Sequence, residues 1–157
     1  MRKIAVIENE KEALFIACEM EKRAIEIYQR ALMIFEDEDV KKMIRELIVD
    51  EKEHLAQFSD FSREQGMVDV DFEKTVLLKA YAGEFVFKGG ISQAQRDGAF
   101  ESGESLLNYA IQEEKKAYTK YREFALVCKN PRAKEAFLSI AQEEKMHKVQ
   151  LENQLKQ

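Results

Sequence analysis

No run of basic residues in the chain exceeds two, as at Lys41-Lys42 and Lys115-Lys116, and 25 Lys and Arg against 30 Asp and Glu leave a net charge of −5. A surface that tracks phosphates is thereby excluded, so no nucleic-acid partner is expected. No apolar stretch approaches the ~18 residues that a membrane span requires. Met1 to Lys11 carry charges of both signs, unlike a secretory leader, so the expected location is the cytoplasm and no membrane contact is foreseen. Only two cysteines occur, Cys18 and Cys128, with no CxxC, which argues against a disulfide framework and a thiolate zinc site. Both read as buried free thiols.

Proline occurs once, at Pro131, and all six glycines fall between Gly66 and Gly103. Gly costs a helix interior about 1 kcal/mol relative to Ala and Pro about 3 kcal/mol, so this distribution leaves residues ~8–65 and ~104–156 as helical territory. Each flank exceeds an ordinary globular helix and carries one break, Glu36-Asp37-Glu38-Asp39 in the first and Lys129-Asn130-Pro131 in the second. Asn130 before Pro131 is an N-cap followed by a first-turn proline, and Asp37 or Asp39 can cap in the same way.

What is present fits that division. The composition, 45% apolar and 35% charged with a mean hydropathy of −0.47, is that of a folded soluble chain, and 157 residues suit one domain. Apolar residues recur at helical spacing along both flanks, as in Leu14, Ala17, Ala24, Tyr28 and Leu32, or Ala136, Phe137, Ile140 and Leu151. The expected fold is all-α: a four-helix bundle over residues 1–157, with one antiparallel hairpin at about 8–65, a long crossover at 66–103 and a second hairpin at about 104–156.

Glu21, Glu51, Glu114 and Glu144 stand at the centre of the four apolar stripes. Ionised carboxylates in a core must be protonated, paired with Lys or Arg, or bound to cations, and no Lys or Arg occupies these stripes at that level. The only two histidines, His54 and His147, follow Glu51 and Glu144 by three residues and so share a helix face with them. One Glu from each of two helices with Glu-x-x-His from each of the other two is a dinuclear carboxylate arrangement, and its four negative charges balance two divalent ions.

Spacing supports a single layer. Glu21 and Glu51 are symmetric about Glu36, and Glu114 and Glu144 about Lys129, so each acid stands ~22 Å from its own turn at ~1.5 Å per residue. A shift of 93 residues carries Glu21, Lys22, Ala24 and Tyr28 onto Glu114, Lys115, Ala117 and Tyr121, and Glu51, Lys52, His54 and Gln57 onto Glu144, Lys145, His147 and Gln150. Tyr28 and Tyr121 follow their glutamates by two turns, where they either fill the core or reach the acids. Asp50 and Glu143 precede the histidines by four residues, where they either lie on a solvated face or orient the imidazoles.

The doubled motifs Glu-x-x-Ala-x-x-x-Tyr and Glu-x-x-His resemble those of the rubrerythrin-like branch of the ferritin-like superfamily. The resemblance spans nearly the whole chain outside the crossover. It implies a ferritin-like bundle with two metal ions per chain, usually iron, reacting with hydrogen peroxide or dioxygen. It also implies Glu21, Glu51, His54, Glu114, Glu144 and His147 as ligands, with Glu51 and Glu144 bridging. The chain departs from proper rubrerythrins in two ways. No pair of CxxC motifs supplies a rubredoxin module, so the reductant is expected to be an external electron donor. The places flanking Glu114 are Ile111 and Ala117, without an additional carboxylate. A ferroxidase or iron-handling role is the alternative function, and manganese is the alternative metal, because the ligand set suits both ions.

The crossover holds Val68, Val70, Phe72, Val76, Leu77, Leu78, Tyr81, Phe85, Val86 and Phe87. That is more apolar surface than a loop over one bundle readily buries, so a homodimer is expected, with Gly89-Gly90 as a hinge for exchange of hairpins between subunits. Phe72 to Tyr81 is expected to form a short helix.

Overall fold

The computed structural model describes residues 9–65 and 72–157, arranged as six helices with no strand among them. The expected positions at Gly66, Val68 and Val70 lie outside the described residues. The first hairpin is α1, Glu10–Ile34, and α2, Glu38–Glu64, and the second is α5, Gly103–Val127, and α6, Pro131–Leu155. Between them the crossover carries α3, Phe72–Phe85, and α4, Gly90–Arg96.

Local chemistry sets these boundaries. The Asp37 carboxylate accepts from the backbone N–H groups of Asp39 and Val40, and the Asn130 side chain accepts from Arg132 N–H, with Pro131 in the first turn. Asn9 and Ser102 cap α1 and α5 in the same manner. The α4 helix needs its glycine. Gly89 has φ 78°, and a Cβ there would lie 2.3 Å from Gln93 Cβ.

Burial follows the expected stripes, with Leu14, Ala17, Tyr28, Leu47, Phe58, Tyr121, Phe137 and Ile140 in one core. The ends of the bundle confirm its direction. Glu10, opening α1, accepts from the N–H groups of Lys129, 2.5 Å, and Asn130, 2.9 Å, in the α5–α6 turn, so α1 and α5 run antiparallel. Both cysteines are free, as expected, but half-buried rather than buried, with Cys18 against Ser59 and Cys128 donating to the Phe124 carbonyl.

The crossover differs from the expectation in two respects. Its helix continues beyond Tyr81 to Phe85, and its second half is covered by its own bundle. Leu78, Ala82, Phe85, Val86 and Phe87 are buried, whereas Phe72, Val76 and Leu77 remain exposed. The reason is that α3 lies along α1, which offers an apolar flank to alternate turns of the strap. No helix among the described residues is long and apolar enough to cross a membrane.

Candidate metal centre

Four helices bring Glu21, Glu51, Glu114 and Glu144 to one level, each 1% exposed, together with the buried His54 and His147. Two overlapping groups form, Glu21, Glu51, His54 and Glu144, and Glu51, Glu114, Glu144 and His147, with one donor atom per residue lying within 4.8 Å of the others in each group. Glu51 and Glu144 are common to both. The His54 Nδ1 atom lies 3.0 Å from Glu51 Oε1, 3.3 Å from Glu144 Oε1 and 3.6 Å from Glu21 Oε2. His147 Nδ1 lies 3.2 Å from Glu144 Oε1, 3.4 Å from Glu114 Oε1 and 3.8 Å from Glu51 Oε1.

Short separation does not make these contacts hydrogen bonds. Glu21 Oε1, Glu51 Oε1, Glu144 Oε1 and both histidine Nδ1 atoms are buried without a hydrogen-bond partner. Buried polar atoms are normally satisfied, and five of them converging on one space form a donor set that a cation completes. Carboxylate and imidazole together suit iron or manganese.

The electrostatics of the donor set show the same conflict. Burial, then the Glu144 charge, raises Glu21 to about 7 and Glu114 to about 8. Glu51 rises for the same reasons, with Glu114 and Glu144 as its largest charge partners. Burial opposes the charged imidazoles, but the surrounding carboxylates outweigh it, raising His54 and carrying His147 to about 12.

Groups behind the cluster fix its orientation. The Tyr28 hydroxyl donates to Glu114 Oε1 at 3.0 Å and the Tyr121 hydroxyl to Glu21 Oε2 at 2.8 Å, so both tyrosines reach the acids, each on the opposite hairpin. Asp50 and Glu143 also do more than line a solvated face, but with the partners exchanged. His147 Nε2 lies 2.9 Å from Asp50 and His54 Nε2 lies 3.2 Å from Glu143. The exchange arises because α2 and α6 pack side by side. A carboxylate one residue before a ligand glutamate then points across the seam rather than along its own helix. In the neutral imidazole, an Nε2–H donated to these carboxylates leaves the Nδ1 lone pair facing the cluster.

Sequence reasoning missed Arg23, Glu113 and Phe87, which fasten the crossover beside Tyr28. The internal repeat carries no signal for them, because Arg23 corresponds to Lys116 and Glu113 to Met20.

The family model of rubrerythrin matches residues 105–157, which hold the second hairpin with Glu114, Glu144 and His147. No curated protein and no solved structure matches the chain. The chain is thus similar to rubrerythrin over its second hairpin, and the first hairpin of the same all-helical bundle repeats that hairpin's pattern of acids and histidine.

Proposed function

We propose that the cluster holds two metal ions, iron in the first instance, and that the protein is an oxidoreductase reducing hydrogen peroxide or dioxygen with electrons from an external donor. The observation that carries this reading is the pair of donor groups sharing Glu51 and Glu144, with five buried atoms lacking hydrogen-bond partners. In this reading Glu21 and His54 complete one metal position, Glu114 and His147 the other, and Glu51 and Glu144 serve both. Bound iron would supply one-electron redox chemistry and Lewis acidity.

The chain's own part is to hold and orient. The Tyr28 and Tyr121 hydroxyls fix one oxygen of Glu114 and of Glu21, which limits the carboxylate rotations available as charge changes nearby. Asp50 and Glu143 hold the Nε2 protons, keep Nδ1 free and add negative charge behind each imidazole. The surrounding apolar residues exclude bulk water and strengthen each of these interactions.

Metal content per chain, measured on protein from its own organism, tests the reading directly. We expect two equivalents, an oxo-to-iron absorption band in the oxidised protein, and bleaching and return of that band on reduction and peroxide addition. Glu51→Ala and Glu144→Ala should each lose both equivalents. Retention of two equivalents by either variant would sink the ligand assignment.

A further inference from the structure

The two halves of the cluster look equivalent in sequence, but their supports differ. Tyr121, which holds Glu21, rests on the bundle's own aromatic core, with ring centroids 5.2 Å from Phe58, 6.0 Å from Phe137 and 6.2 Å from Phe124. Tyr28, which holds Glu114, instead meets the crossover. Its ring stands edge-on to Phe87, with centroids 5.9 Å apart and planes at 86°.

Phe87 is held unusually firmly. At φ 48° it is the only non-glycine residue among those described with a left-handed backbone, a conformation that a bulky side chain adopts only where its surroundings impose it. Those surroundings are polar and specific. The Arg23 guanidinium donates to the Val86 carbonyl from Nε at 3.1 Å and to the Phe87 carbonyl from Nη2 at 2.6 Å. On the other side the Phe87 N–H donates to the buried carboxylate of Glu113, whose second oxygen accepts from Lys116 Nζ at 2.8 Å. Arg23 and Glu113 project from α1 and α5, two residues from Glu21 and one from Glu114. Both strap anchors thus come from the helices that carry those two acids.

We propose that Arg23, Glu113 and Phe87 form a positioning clamp that ties the crossover to one half of the metal centre. The clamp sets Tyr28, and through it Glu114, so the Glu114–His147 position depends on Phe87 and its anchors, whereas Tyr121 meets the crossover only at one remove, through Phe124 against Phe85. The inference rests on the metal reading above for its binding consequence, but the tyrosine placement stands apart from it. Arg is required because its planar fork reaches two successive carbonyls, whereas an ammonium is a point donor. The chain is therefore expected to bind its two ions with unequal sensitivity to changes in the strap.

The test uses the full chain labelled with 3-fluorotyrosine, with the Tyr28 and Tyr121 resonances assigned by Tyr28→Phe and Tyr121→Phe. Phe87→Leu keeps apolar volume but removes the ring, and Arg23→Lys keeps the charge but loses the fork. In metal-free protein both variants should shift or broaden the Tyr28 signal and leave Tyr121 in place. Anaerobic titration with Co(II) should then show one of two equivalents weakened about ten-fold, the lower end for loss of an outer partner of a metal ligand, with the other unchanged. An unmoved Tyr28, movement of Tyr121 alongside it, or unweakened or equal weakening of the two equivalents would overturn the clamp. Failure of the unmutated chain to bind Co(II) would instead overturn the metal reading, and the two tyrosine signals would still decide whether the strap positions Tyr28.

Discussion

At the scale of single residues, the crossed pairing behind the histidines has a consequence that sequence position alone would misassign. Asp50 lies one turn before His54 yet bonds to His147, and Glu143 lies one turn before His147 yet bonds to His54. Asp50→Ala should therefore weaken the ion at the Glu114–His147 position by about ten- to a hundred-fold and leave the other largely intact. Glu143→Ala should do the reverse. Site-resolved metal titration distinguishes the two, and a loss at the histidine of the same helix would show that the seam is not crossed. The six ligand candidates were legible because an acid on an apolar stripe violates the pattern around it. The partner of each outer carboxylate was not, since the four-residue interval looks the same whether the side chain runs along its helix or across to a neighbour. Arg23 and Glu113 were illegible for a related reason: a charged residue beside a ligand reads as a solvated face until the crossover lies against it.

At the scale of elements, boundaries were the most legible feature, because each rests on chemistry confined to a few residues. Asn130 illustrates this, as its side chain caps α6 directly before Pro131. Asn130→Ala should cost about 1 kcal/mol by loss of that cap, read as a lowered midpoint in denaturant unfolding with an unchanged slope. No change in midpoint would show that the proline alone sets the start. The crossover was less legible, since its apolar residues do not reveal which surface covers them. Phe85, Val86 and Phe87 serve their own bundle, which leaves Phe72, 81% exposed, with Val76 and Leu77 as the patch available to a second copy. Phe87 is thus unsuited to probing association, because a charge there would disturb the core. Val76→Asp with Leu77→Asp should shift a dimer toward monomer in light scattering at micromolar concentration, with helical content preserved. An unmutated chain that is monomeric under those conditions would remove the expectation of a dimer, exchanged or otherwise.

At the scale of the whole molecule, the bundle concentrates four acids in its interior, and the balance between fold and site becomes a function of pH. In the metal-free chain Glu21 rises to about 7 and Glu114 to about 8, with Glu51 also raised, by burial and then by neighbouring carboxylates. Above the ordinary carboxyl range of ~4.3 the unfolded chain gives up these protons while the folded chain keeps them, so stability falls as pH rises through that window. The histidines act in the same sense. Their raised values give a contribution that is full below the ordinary imidazole value of ~6.5 and is lost as pH rises towards the folded value of His147, about 12. Metal reverses the trend, since the ligands must be deprotonated to bind, and affinity therefore increases with pH over the same interval. An ion that binds only the folded chain then stabilises it by mass action. The gap in melting temperature between metal-loaded and chelated protein should consequently widen from pH 5 to pH 8, mainly because the chelated form melts earlier. Calorimetry at fixed ionic strength measures both forms, and a gap that stayed constant or narrowed would show that the buried acids are not coupled to the metal in this way.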